Sequence, residues 1–375
     1  MPYSQQERLI ALTTPLGEDA LLLAGFSGQE AVSRLFSFDL DLLAEKGPID
    51  FAQIMGKKVT IRVTQVDKTE RYFNGIVSHF AQSGSDARFT RYRMQMVPWT
   101  WLLTRYADCK IFHNKTVQEI LEQVFEDRSV TDYQIKLNGS YSPMEYCVQY
   151  RETDFNFISR LMEQNGIFYF YQHGKESHTM VIADTPSAHE TCPGQENAGY
   201  NLVSGGIDDE DVIHSWTIEQ ELRSGKYTLT DYNFKTPSAN LTATEPSVID
   251  VGGNSGFELF DFPGEYTTRG DGTAFAKIRM QEEEASHLVG NGSSTCRAFT
   301  SGYKFTLKDH YQSTMNVSYV LTEVQHSASV ADTYAMSSGA GERATPTCSP
   351  ASRKRFPSGP RALLPSRSCR GRRRP

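Results

Sequence analysis

Strict alternation of apolar and polar residues runs through the first hundred positions and leaves few folds open to them. VTIRV (Val59 to Val63) alternates, as does the stretch from Phe73 to Phe80. RYRMQMVPW (Arg91 to Trp99) does the same until Pro98 ends it. Successive side chains of a strand point to opposite faces, so each run buries one face and wets the other. Residues 1–105 are therefore expected to form half-buried strands around a core. An aromatic content of 11%, with many Thr and Val, points the same way.

The period then changes. Val117, Ile120, Leu121, Val124 and Phe125 recur at helical spacing behind Thr116 and Glu119, which form a capping box. A second helix is expected in YRETDFNFISRLMEQNGIFYFYQH (Tyr150 to His173). Phe155, Ile158, Leu161 and Met162 make its apolar stripe, and Asp154 opposes the positive end of its dipole. Gly166 supplies the left-handed stop, and IFYFY (Ile167 to Tyr171) reads as a buried strand. Strands return from about residue 205. A third helix is expected over Thr273 to Ser286, with Phe275, Ile278 and Ala285 inward and Glu282 to Glu284 outward. YKFTL (Tyr303 to Leu307) and SYVLTEVQH (Ser318 to His326) follow as strands.

A faint repeat links the two ends of the chain. GKKVTIR (Gly56 to Arg62) matches GYKFTLK (Gly302 to Lys308) at Gly, Lys and Thr. IVSH (Ile76 to His79) then matches EVQH (Glu323 to His326) with a one-residue shift. Matches this short fit chance or duplication. Duplication would mean two related β-domains around a helical insert. The resulting division is 1–105, first barrel; 106–204, α/β insertion with two helices; 205–340, second barrel with one helix; 341–375, tail.

The tail is compositionally foreign. Cys348 to Pro375 carries nine Lys or Arg and no acid. The rest holds 29 basic and 45 acidic residues, a net of −16 against −7 for the whole, so the body is not expected to bind nucleic acid. The tail reads as disordered, as a basic arm, or as out-of-frame translation of GC-rich DNA, and its residue types favour the last. ALLLAGF (Ala20 to Phe26) follows Glu18 and Asp19 and is too short for a signal peptide or a membrane span. No stable membrane insertion is expected. Six scattered cysteines without a CxxC pair imply a reduced compartment.

No catalytic constellation emerges. Glu152 and Asp154 stand two apart at a helix entrance, where a cap and a local pair with Arg151 explain them better than acid–base catalysis. His173 and His178, five apart, match no common metal spacing. VGGNSG (Val251 to Gly256) has no basic residue beside it and reads as a loop. DFPGEY (Asp261 to Tyr266) reads as a structural corner. No catalytic, cofactor-binding or metal-binding residue is assigned. A β-rich glycan hydrolase would need a carboxylate pair across a cleft, which the pattern does not supply.

The order of these blocks carries a resemblance. The Thr116 helix, RETDFNFISRLMEQNGIFYF, DFPGEY, a Glu-rich helix, SGYKFTL and YVLTEVQH together resemble the N-terminal half of VgrG, the spike protein of type VI secretion systems, from about Tyr3 to Tyr334. The resemblance implies a mainly β fold with α/β insertions and two tandem tube-type β-barrels, as in contractile phage-tail hubs. It implies a homotrimer whose six barrels match the sixfold Hcp tube ring, with baseplate proteins as further partners. It implies no enzyme activity and no cofactor. Export from the cytoplasm would go through the secretion apparatus, without a signal peptide. The OB-like domain and β-helix needle of the family do not follow the hub here, which reads as truncation. Effectors or adaptors would engage through that further part. The same fold also serves prophage tails and related injection devices.

Overall fold

The computed structural model of this 375-residue chain describes residues 3–45, 48–201, 211–330 and 351–352. The expected basic tail, 341–375, lies outside the described residues apart from Ala351–Ser352.

The first strands are β1 (Ile10–Thr13), β2 (Leu22–Ala31), β3 (Ser37–Ala44), β4 (Lys58–Thr64), β5 (Glu70–Ser85) and β6 (Thr90–Val97). An inserted region follows: β7 (Ala107–Lys115), α1 (Val117–Asp127), β8 (Tyr133–Lys136), β9 (Met144–Thr153), α2 (Asp154–Gln164), β10 (Phe168–His173) and β11 (His178–Ala183). Next come β12 (Asn197–Tyr200), β13 (Val212–Gln220), β14 (Lys226–Leu229), β15 (Ala243–Pro246), β16 (Glu258–Asp261) and α3 (Arg269–Ala285). The chain continues through β17 (Leu288–Ser294), β18 (Lys304–Lys308), β19 (Ser318–Val320), β20 (Glu323–Ser329) and β21 (Ala351–Ser352).

The fold is mainly β, with two barrel-type sheets in tandem. The first is a curled antiparallel sheet in the order β1-β4-β5-β6-β3-β2-β20. The second is a closed barrel in the order β12-β13-β17-β21-β19-β18. At one end of the first sheet a single side chain bridges β1 to β2. The Gln5 carboxamide accepts from Leu12 N and Leu23 N and donates to Leu21 O, standing in for a missing peptide group.

The local signals act as the residues suggest. Thr116 and Glu119 cap α1 reciprocally, and Gly166 sits at φ +68°. In the repeat, Gly56 (φ +71°) and Gly302 (φ +85°) each bend left-handed two residues before a strand that opens on Lys58 or Lys304. The second match is not equivalent. Ile76 pairs with Lys58 in a β5–β4 ladder, whereas EVQH lies in β20 and pairs with β2 of the first sheet.

Helix α3 departs from its expected facing. Its fully buried residues are Gly272, Ala276 and Met280, while Phe275, Ile278 and Ala285 are half-buried. The glutamates are also half-buried, because each has a partner: Glu282 takes Arg279, Glu283 takes Arg223, and Glu284 accepts from Ser247. The helix covers a small sheet, β15-β14-β16, inserted within the second barrel. It thus has neighbours on the side that its charge pattern assigned to water.

Strand β10 has two buried faces. Tyr169 and Tyr171 join the core of the first sheet and the insertion, whereas Phe168 and Phe170 join the core of the second barrel. Its partner β11 divides in the same way, Met180 and Ile182 against Val181 and Ala183. This is why IFYFY is continuously apolar rather than alternating.

Gly302 is fitted to this wall. A Cβ there would stand 2.3 Å from Phe170 Cγ, on a backbone already at φ +85°. Gly302→Ala is expected to cost about 3 kcal/mol from crowding and strain combined, read as a lower denaturation midpoint with an unchanged slope.

Candidate functional site

A buried polar joint lies where the first sheet, the β10–β11 hairpin and the second barrel meet. Glu30, on β2, is 1% exposed. His326 on β20 donates from Nε2 to Glu30 Oε1 at 2.9 Å, and Arg71 on β5 reaches the same oxygen at 3.3 Å. Ser301 N, in the loop before β18, donates to Oε1 at 3.3 Å. His173 on β10 faces Oε2 with Nε2 at 3.7 Å. One carboxylate thus gathers groups from both sheets and the hairpin.

Arginines extend the joint. Arg71 Nη1 donates to the carbonyls of Arg297 (2.5 Å) and Phe299 in the second barrel, and its guanidinium lies 4.2 Å from the Phe73 ring centre. Arg297 returns the contact, donating to Thr64 O on β4 at 3.3 Å. Burial alone would raise the Glu30 pKa. The polar ring nitrogens of His173 and His326 beside it, with the charges of His326 and Arg71, outweigh it and hold the carboxyl well below the usual range. His326 is pushed down, chiefly by burial and against the pull of Glu30.

A second buried chain sits beside the first. His178 Nδ1–H donates to Asn74 Oδ1 at 2.8 Å, Asn74 Nδ2 donates to Thr60 Oγ1 at 2.8 Å, and Thr60 donates to Lys175 O at 2.8 Å. His178 Nε2 accepts Trp99 N–H at 2.9 Å. Every member has a partner, as a buried polar network requires.

The sequence candidates fall into separate structural roles. Glu152 pairs with Arg160 at 2.6 Å on the surface. Asp154 is buried and held by Arg128 at 2.6 Å and Gln149 at 2.8 Å. Arg151 lies over the Tyr150 ring at φ +52°, and the neighbouring acid Glu152 pairs with Arg160 rather than with it. The cap of α2 is Thr153, accepting from Asn156 N, with Asp154 in the first turn. The cavity lined by Leu9, Ile10, Phe26, Val63, Phe73 and His326 contains neither carboxylate. His173 and His178 are cross-strand neighbours in the hairpin. Among the described residues no group of three or more His, Cys, Asp or Glu is placed to hold a metal. Asn254 ties down VGGNSG through Val251 N and Ile249 O, and Tyr266 anchors DFPGEY by donating to Leu241 O at 2.7 Å.

Glu30, Arg71 and Asn74 were not singled out by sequence. The usable signal was an acid at an inward position of β2, next to buried Ala31. Nothing local pairs it with His326, 296 residues away.

Glu30→Gln is expected to destabilise the fold by about 3–5 kcal/mol, because it leaves the Arg71 charge buried without its anion. Glu152→Gln is expected to cost less than about 1 kcal/mol, since Arg160 reaches solvent and keeps water as a partner. Urea titration of the two variants separates them. The depressed Glu30 carboxyl stabilises the fold above its ordinary value of 4.5, and that contribution is lost as pH falls below it.

Comparison with known proteins fits this architecture. The protein named type VI secretion system spike protein VgrG1b of Pseudomonas aeruginosa is 33% identical over 326 residues, 87% of this chain and 44% of that protein. The chain spans about half the length of the curated relatives it matches. An Escherichia coli protein described as a component of the type VI secretion system superposes with a TM-score of 0.68 at 17% identity, over 93% of this chain and 78% of that one. The 43 kDa tail protein of a Shewanella oneidensis prophage gives 0.61 at 14% identity, over 92% and 98%. The resemblance to VgrG spike proteins holds, and the structural likenesses attest the fold. The phage tail baseplate hub (GPD) family matches residues 29–332, and the chain belongs to that family.

Proposed function

We propose that this chain is the hub portion of a type VI secretion spike, a structural part and not an enzyme. The observation that carries the reading is the pairing of two barrel-type sheets across one shared hairpin, in a chain 33% identical to a named spike protein. A hub transmits force between a tube and a tip, so its two sheets must move as one body. The Glu30 joint and the two-faced hairpin serve that need.

On this reading three copies assemble, and six barrel-type sheets match a sixfold Hcp tube end. Baseplate proteins hold the outer face, and effectors or adaptors attach through a further part of the assembled spike. Made in the cytoplasm, the protein leaves through the apparatus. No helix of the described residues is long and apolar enough to cross a membrane. The working division is 1–105 for the first barrel-type sheet, completed by β20; 106–204 for the insertion; 205–340 for the second barrel with its own insert; and 341–375 for the tail.

A second reading, the hub of a prophage tail, draws on the Shewanella likeness, which covers 98% of a tail protein. Neighbouring genes separate the two: a sheath-disassembling ATPase argues for secretion, and capsid genes for a phage.

Mixing the purified chain with preformed Hcp tubes tests the main reading. Electron microscopy is expected to show density capping one tube end, with threefold symmetry. Tubes left uncapped at micromolar hub would count against it. Peptidoglycan is expected to remain intact, with the same turbidity trace for wild type and for the Glu152→Gln, Asp154→Asn double variant. Clearing by the wild type that the double variant loses would establish a hydrolase.

A further inference from the structure

We propose that the β10–β11 hairpin is fastened to the first sheet by an acid-labile clasp, released when His178 takes a second proton. This goes beyond the hub reading and does not depend on it.

The geometry of His178 carries the argument. The residue is 1% exposed, and both ring nitrogens are committed. Nε2 accepts the Trp99 N–H while Nδ1–H donates to Asn74, so one neutral tautomer fits. A proton on Nε2 would set N–H against N–H, because a backbone amide cannot accept. His173, opposite it in the hairpin, faces Asn74 as well, with Nδ1 at 3.2 Å from Asn74 N and 3.1 Å from Asn74 O.

The surroundings do not welcome a cation. From β2, Glu30 is already engaged by Arg71 of β5 and His326 of β20. From β4, Lys58 adds positive charge, with Asp132 beyond it at 3.3 Å. From β10 come His173 and Tyr171, whose hydroxyl bonds Thr100 at 2.5 Å. Phe36, between β2 and β3, closes edge-on at a 5.4 Å centroid distance. Two histidines and Arg71 therefore already share the one buried carboxylate, and among the described residues no carboxylate is placed against His178. Burial, then the charges of His173 and Lys58, hold the His178 pKa well below 6.5. A histidine depressed in the folded state leaves stability intact above its ordinary value and removes it as pH falls below that value.

Release has a defined direction. Trp99 opens the helical turn Trp99–Arg105 that leads into β7, and its indole donates to Asp132 O at 3.1 Å. Losing the Trp99–His178 bond uncouples the hairpin from this turn, which continues β6 of the first sheet. Phe168 and Phe170 remain packed in the second core. Acid thus loosens the hairpin's hold on the first sheet, while the Glu30 and arginine contacts still join the two barrel-type sheets.

Amide hydrogen exchange of the whole chain, corrected for the intrinsic pH dependence, tests this. Between about pH 6.5 and 5, residues 99–105 are expected to lose at least about tenfold in protection while β4 and β5 keep theirs. His178→Gln, a neutral donor–acceptor, is expected to abolish that loss. Uniform protection in the wild type, or an unchanged acid response in the variant, would overturn the proposal. If the variant does not fold, NMR of histidine-labelled wild type decides. Protonation of the His178 ring in the same interval as opening supports the clasp. Protonation with the Trp99 amide still protected refutes it.

Discussion

One hairpin belongs to two hydrophobic cores, and the rest of the molecule is arranged around that constraint. Tyr169 and Tyr171 face one core, Phe168 and Phe170 the other. A strand buried on both faces has no solvated side on which to place polar residues, so its polar contacts gather at its end. There His173 and His178 meet Glu30 and Asn74. Apolar burial supplies most of the attraction, but it is non-directional. The hydrogen-bonded network fixes how the two sheets are set against each other.

Glu30 is costly to bury and is retained with one fully engaged oxygen. Replacing such a cluster with apolar residues need not weaken a protein. Its presence here fits a demand for one geometry more than a demand for stability. The Arg71 and Arg297 side chains cross between the two sheets in opposite directions, Arg71 to the Arg297 and Phe299 carbonyls and Arg297 to the Thr64 carbonyl. That reciprocity suits two barrel-type sheets held as one body.

What was legible in the sequence was local. The Thr116 box, the Gly166 stop and the strand periodicity each need only a few neighbours, and each stands in the structure. The joint was not legible, because Glu30 and His326 meet only after β20 crosses back to the first sheet. EVQH carried a real strand signal but no information on which sheet it would join. The α3 facing failed for a related reason: Glu282 to Glu284 look solvated until Arg279, Arg223 and Ser247 are brought to them. The block from Tyr150 to His173 mixes charges with aromatics because a joint between two cores needs both residue types.

The central claim is that the two sheets behave as one cooperative body through the shared hairpin and its Glu30 joint. Scanning calorimetry of the wild type and of Glu30→Gln tests it most directly. The account predicts one transition in the wild type, with calorimetric and van't Hoff enthalpies equal, and two resolved transitions in the variant. Two transitions in the wild type, or a variant that still melts in a single transition at the same temperature, would contradict it.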